Sequence, residues 1–193
     1  TNLLFCSIHV TGMQKKVLSE IDLYTDTIQG IEIDRKKIKN DILTSFVSEK
    51  RLSKNKKDYS YQDFEVGFST PLQWMRDYIR DHFRVDYSKT LIFQNEWGNV
   101  YNQYESSIVR HQVEPMSLKD SSDYTCLYGI DVAKDSCELV IEYDDNRRKN
   151  RTWHIPLKNN QFIIFPSSQR YFISKNTSKQ MNIFLTSLYE YIL

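Results

Sequence analysis

The side chains able to do chemistry in this sequence are few, and their spacing matters more than their number. Histidines stand at 9, 82, 111 and 154, and cysteines at 6, 126 and 137. The run His111-Gln112-Val113-Glu114 is the most suggestive. On an extended segment residues i and i+2 project to one face, so His111 and Val113 face together. Glu114 then faces away unless a bulge intervenes. A metal held by His111, Glu114 and His154 needs that bulge and a second strand. A solitary histidine is more often a hydrogen-bonded core or rim residue, and His9 and His82 read as structural or surface positions.

Other catalytic patterns are missing. The sequence has no G-x-S-x-G, no H-E-x-x-H and no C-x-x-C, and its five glycines form no phosphate-binding loop. An odd cysteine count without a framework fits a reducing compartment. Lys and Arg number 26 against 25 Asp and Glu, a net charge of +1, which argues against a globally basic nucleic-acid binder. The acidic pairs Asp144-Asp145 and Asp120/Asp123 flank strand-like runs and read as turns. The opening apolar run is too short for a signal peptide core, and no apolar stretch reaches membrane-spanning length. A soluble, intracellular protein is expected.

The elements that position these residues fall into two textures. Residues 3–10 read as a buried strand, and residues 13–24 carry apolar side chains at helical spacing. A second helix fits 34–49, capped by Asp34, with Ile38, Ile42, Phe46 and Val47 on one face. The basic stretch at 50–60 reads as a solvated loop. Ser69-Thr70-Pro71 starts a third helix, with Thr70 as cap and Pro71 at the first helical position. Its buried stripe is Leu72, Met75, Ile79 and Phe83, with Arg76, Asp77, Arg80 and Asp81 on the wet side. Beyond residue 88 come roughly eight short β-branched and aromatic runs separated by turn residues, the pattern of a sandwich or jelly roll with helices outside. Trp97, Ile130, Leu139, Ile141, Phe165 and Ile183 are its expected core. The fold class is therefore α+β, mainly β. Residues 1–62 are an N-terminal strand, helices and basic linker, and 63–193 a double-stranded β-helix domain with its supporting helix.

Several motifs occur in a telling order. Trp97-Gly98-Asn99-Val100-Tyr101 is followed by His111-Gln112-Val113 and the tyrosine-rich run Tyr124 to Asp131. Then come Ile155-Pro156, Phe165-Pro166-Ser167-Ser168, Lys175-Asn176 and Asn182-Ile183-Phe184-Leu185-Thr186. No one motif is specific, but the succession from Phe64 to Thr186 resembles a phage and bacterial branch of the iron(II)/2-oxoglutarate oxygenases with a prolyl-hydroxylase-like jelly roll. That family holds iron(II) with two imidazoles and one carboxylate on a single face, and a basic side chain pairs with the cosubstrate's far carboxylate. The resemblance puts His111 at the first ligand position and Val113 at the second. It puts Tyr171 at the distal histidine and Asn182 at the cosubstrate's arginine.

Three of those four side chains cannot do the family's work, so the resemblance reads as degenerate at the metal and cosubstrate positions. The expectation is a non-catalytic jelly-roll protein with no catalytic, cofactor-binding or metal residues and no cofactor. It would be a structural or assembly component, in keeping with a tailed-phage virion, with its barrel mouth plugged around Tyr171. Protein partners, rather than membrane or nucleic acid, would meet Lys50, Arg51, Lys54, Lys56, Lys57, Arg147, Arg148 and Arg151. The alternative is an iron(II)/2-oxoglutarate-dependent hydroxylase using altered ligands. A third reading is a sugar- or nucleotide-binding jelly roll with Trp97, Tyr101, Tyr124 and Tyr128 as stacking surfaces.

Overall fold

The structure is a computed structural model that describes residues 21–28, 34–52, 63–113, 116–146 and 149–192. The expected strand at 3–10 and most of the expected helix at 13–24 lie outside these residues. The end of that helix does not form: Tyr24–Thr27 is strand β1, paired to the edge of a sheet.

Helix α1 spans Arg35–Leu52, and the Asp34 carboxylate accepts from Lys37 N at 3.0 Å, as an N-cap should. Strand β2 (Asp63–Glu65) leads into helix α2, Thr70–Tyr87. The cap falls on Ser69, one residue before the expected Thr70, with extended backbone and no side-chain capping bond. Leu72, Met75, Ile79 and Phe83 are all buried, as the periodicity predicts. Arg76 is not on a wet face. Its guanidinium pairs with the buried Glu96 carboxylate and lies 3.8 Å from the centre of the Phe93 ring.

Seven strands follow: β3 (Thr90–Tyr101), β4 (Tyr124–Asp131), β5 (Glu138–Asn146), β6 (Lys149–Pro156), β7 (Gln161–Pro166), β8 (Arg170–Ile173) and β9 (Asn182–Ile192). They make a six-stranded sheet, ordered β1-β7-β4-β9-β3-β2, and a three-stranded sheet, ordered β6-β5-β8. All pairings are antiparallel. Residues 107–112 extend the small sheet. Arg110 and Tyr171 exchange both backbone hydrogen bonds at 2.8 Å, and Gln112 N donates to Ser167 O at 2.9 Å.

Two cores result from strand alternation. One lies between the helices and the outer face of the large sheet, and includes Ile38, Ile42, Leu72, Met75, Tyr128 and Leu185. The other lies between the two sheets, with Leu127, Leu139, Ile141, Ile163, Phe165, Tyr171 and Phe184. Strand β4 is buried along almost its whole length because it faces both. Of the expected core residues, Ile130, Leu139, Ile141, Phe165 and Ile183 are buried, whereas Trp97 is only half-buried at a cleft. Gly98 lets α1 approach β3, since a Cβ there would stand 2.6 Å from Ile42.

Candidate active site at the barrel mouth

Between the sheets, apolar packing gives way to polar side chains at one end. Strand β3 contributes Asn95, Trp97, Asn99 and Tyr101 to the inward face, after a register shift between Phe93 and Asn95. The Asn99 amide donates to Asp63 Oδ1 at 2.7 Å and accepts from Thr186 Oγ1 at 2.6 Å. Asp63 is pinned beside it because β2 pairs with β3.

The opposite wall is the 107–112 segment. Arg110 Nη1 donates to both Asp63 oxygens, at 2.5 and 2.6 Å. Gln112 Nε2 donates to Tyr171 Oη at 2.8 Å. Both side chains therefore point into the barrel, and alternation sends those of Val109, His111 and Val113 the other way. Behind them, Ser167 Oγ hydrogen-bonds Ser122 Oγ at 2.8 Å and Thr125 Oγ1 at 2.9 Å. Burial raises the pKa of Tyr101 and of Tyr171, although the Gln112 bond and the Arg110 charge pull Tyr171 down. Both phenols stay protonated over the physiological range.

Above this floor lies an open cleft of about 740 Å³, lined by Asp63, Glu65, Asn95, Trp97, Arg110 and His111 among others. A neighbouring cleft of about 440 Å³ shares Asn95, His111 and Gln112, and adds Val113, Asp120 and Ser122. The larger volume is in the range of small-molecule sites. The mouth is thus not plugged as expected. Tyr171 is buried against Gln112, and both clefts stay open beside them.

The register corrects the reading of the site residues. His111 is exposed at the rim rather than facing inward, and Val113 is half-buried on the same side. The inward pair is Arg110 and Gln112, one residue off the expected frame. Asn182 sits at the Tyr101 end of β3, where its amide donates to Ser136 Oγ at 2.8 Å and accepts from Ala133 N at 3.0 Å. His154 lies on β6 beside Glu138 Oε2 at 2.8 Å, on a strand apart from His111, and Glu114 lies outside the described residues. Among the described residues no three His, Cys, Asp or Glu side chains come together to hold a metal.

The aromatic platform does not form either. Tyr124 and Tyr128 belong to the core under the helices and Tyr101 is buried between the sheets, so only Trp97 borders the cleft. Of the expected partner-binding residues, Lys54, Lys56, Lys57, Arg147 and Arg148 lie outside the described residues. Lys50 and Arg51 end α1, and Arg151 is exposed on β6. Arg110, Gln112, Asp63 and Asn95 were not singled out in the sequence; the signal available was that Arg110 and Gln112 flank His111.

No protein-family model matches the sequence, and no curated protein matches it. Solved structures do. The viral collagen prolyl hydroxylase of Paramecium Bursaria Chlorella virus-1 superposes with a TM-score of 0.56 at 11% identity, covering 88% of this chain and 97% of that one. A prolyl-4-hydroxylase of Pseudomonas putida gives 0.51 at 8% identity, covering 87% and 91%. An oxidoreductase of the 2OG-Fe(II) oxygenase family from Burkholderia pseudomallei gives 0.50 at 10% identity, covering 67% of this chain and 62% of that one. The chain has the jelly-roll fold of the iron(II)/2-oxoglutarate oxygenases.

These neighbours overturn the expectation of a protein that is no enzyme and takes no cofactor, because the fold they share is that of 2-oxoglutarate-dependent oxygenases. That expectation rested on Val113, Tyr171 and Asn182 standing where the resemblance puts two metal ligands and the cosubstrate's arginine. In the structure Val113 does not face inward, so its side chain says nothing about the barrel's chemistry, while Tyr171 and Asn182 are buried. Among the described residues, no helix is long and apolar enough to cross a membrane.

Proposed function

We propose that this chain is an enzyme that works from the mouth of its barrel on a small polar molecule, in the manner of a 2-oxoglutarate-dependent oxygenase. The observation that carries the reading is the open cleft of about 740 Å³ lined by Asp63, Asn95, Trp97, Arg110 and Gln112. The hydroxylases and the oxidoreductase that share the fold lend it support.

The described side chains do not fit an iron centre of two imidazoles and a carboxylate. The inward pair is a guanidinium and an amide, and among the described residues the only imidazole at the mouth is the exposed His111. No step is therefore drawn through a metal. What this chain's own residues do is bind and orient. Arg110 is held in one pose by the doubly bonded Asp63, and Gln112 by Tyr171, so ligand-facing groups are fixed before binding. The low-dielectric floor strengthens any polar contact a ligand makes there.

The test is turnover. The purified chain is supplied with iron(II), ascorbate and 2-oxoglutarate, and succinate is followed with time. Release above a no-protein control supports the reading; no succinate from the native chain overturns it.

A further inference from the structure

Each sheet has one edge at the mouth, β2 in the large sheet and residues 107–112 in the small one, and an opposite edge, β1 and β6. Between β1 and β6 the inter-sheet core opens on a gap of about 190 Å³, lined by Ile21, Leu23, Ile141, Trp153, Phe165 and Pro166 among others. Ile141 and Phe165 are buried in that core, and Leu23 packs against it. Trp153 stands opposite Ile141 in the β5–β6 pairing, so it projects to the same inward face. It is nevertheless 57% exposed, and Ile21, the first described residue, is 56% exposed at the same gap. The core face of the small sheet is therefore bare at its edge. An apolar face of this kind belongs under another apolar element.

We propose that this element is the chain's own segment 3–10, which lies outside the described residues and closes the sandwich along β1 and β6. Its sequence fits the gap in length, pattern and charge. Its eight residues match the eight of β6. In an extended segment Leu4, Cys6, Ile8 and Val10 project to one face, which is apolar throughout, while Ser7 and His9 fall on the other. The segment contains no Asp, Glu, Lys or Arg, so no charged side chain has to be buried.

The connection is short enough to be local. Ile21, Asp22 and Leu23 line the gap, so the chain joins the described structure beside it. Residues 11–20 reach up to about 33 Å when extended, more than the roughly 26 Å of an eight-residue strand, so the segment can run back along the gap. Buried backbone groups need partners, and β1 and β6, each the last strand of its sheet among the described residues, offer their outer edges. A second copy of β6 suits the place less well. That strand carries Lys149, Arg151 and His154 and no acid, so pairing it with itself sets like charges together.

The experiment follows the Cys6 thiol, which is distinguishable because Cys126 and Cys137 are buried. The full chain is pulsed with N-ethylmaleimide, and the labelled cysteine is located by peptide mass spectrometry. Cys6 should react about a hundredfold more slowly in the native chain than in urea, whereas the thiol introduced by Ser7→Cys, on the outward face, should react close to its urea rate. Trp153→Asp puts a charge into the gap and should speed the labelling of Cys6 by about tenfold or more. Circular dichroism checks that this variant folds; should it not, Ile21→Asp takes its place at the same gap. Fast labelling of Cys6 in the native chain, or equal rates at positions 6 and 7, overturns the proposal. So does protection of Cys6 that the charge in the gap leaves unchanged. Protection lost on about tenfold dilution of the native chain would put a second copy on the gap and overturn it as well.

Discussion

The Gln112 amide donates to the Tyr171 hydroxyl at 2.8 Å, and this bond ties residues 107–112 to β8 with Arg110 and Gln112 turned into the barrel. Removing either partner alone leaves a polar group without its mate in a mostly enclosed place. We expect Tyr171→Phe to cost about 1 kcal/mol, and Gln112→Leu a similar amount. The double variant should cost less than the sum, because no orphaned partner remains. Urea unfolding of the four proteins measures the cycle, and strict additivity would show that the bond is not formed.

Among the described glycines, Gly129 makes the tightest approach to backbone. A Cβ there would lie 2.0 Å from the carbonyl oxygen of Lys158, whose turn is held by Asn160 N donating to Gly129 O at 2.9 Å. Backbone cannot yield as a side chain end can, so Gly129→Ala should destabilise by about 3 kcal/mol or more. Gly67→Ala is the control, since nothing lies within 4 Å of its added Cβ. Thermal midpoints should drop steeply for the first and hardly move for the second.

Buried phenols predict the response to alkali. Burial raises the pKa of Tyr101, Tyr171 and Tyr189 above the ordinary 10.0, and that of Tyr128 to about 12. The folded protein keeps these protons where the unfolded chain releases them. The stabilisation is complete below pH 10 and is lost as pH rises through the folded values. Tyrosinate absorbance should therefore rise in two stages, the exposed tyrosines first and the buried ones only with unfolding. A single stage near pH 10 with the fold intact would contradict the burial.

Much of the architecture was legible in the sequence because its signals are local. Asp34 caps α1, the stripe Leu72, Met75, Ile79 and Phe83 buries α2, and the short β-branched and aromatic runs after residue 88 point to a barrel. The site was not legible, for a physical reason. In residues 107–113 the usual pattern is inverted: polar Arg110 and Gln112 face in, while apolar Val109 is exposed. Alternation marks two faces but cannot say which is inside when the inner one is polar. Arg76 misled in the same way, because its partner Glu96 lies 20 positions away on β3.

The most direct test of the mouth as the working site is the rate of succinate formation from 2-oxoglutarate by Asn95→Trp, measured beside the native chain. Asn95 lines both clefts and is exposed, so an indole there fills the mouth without disturbing the core. The account predicts a rate lowered by about tenfold or more at an unchanged thermal midpoint. A native rate in this variant would contradict it and place the chemistry elsewhere in the chain.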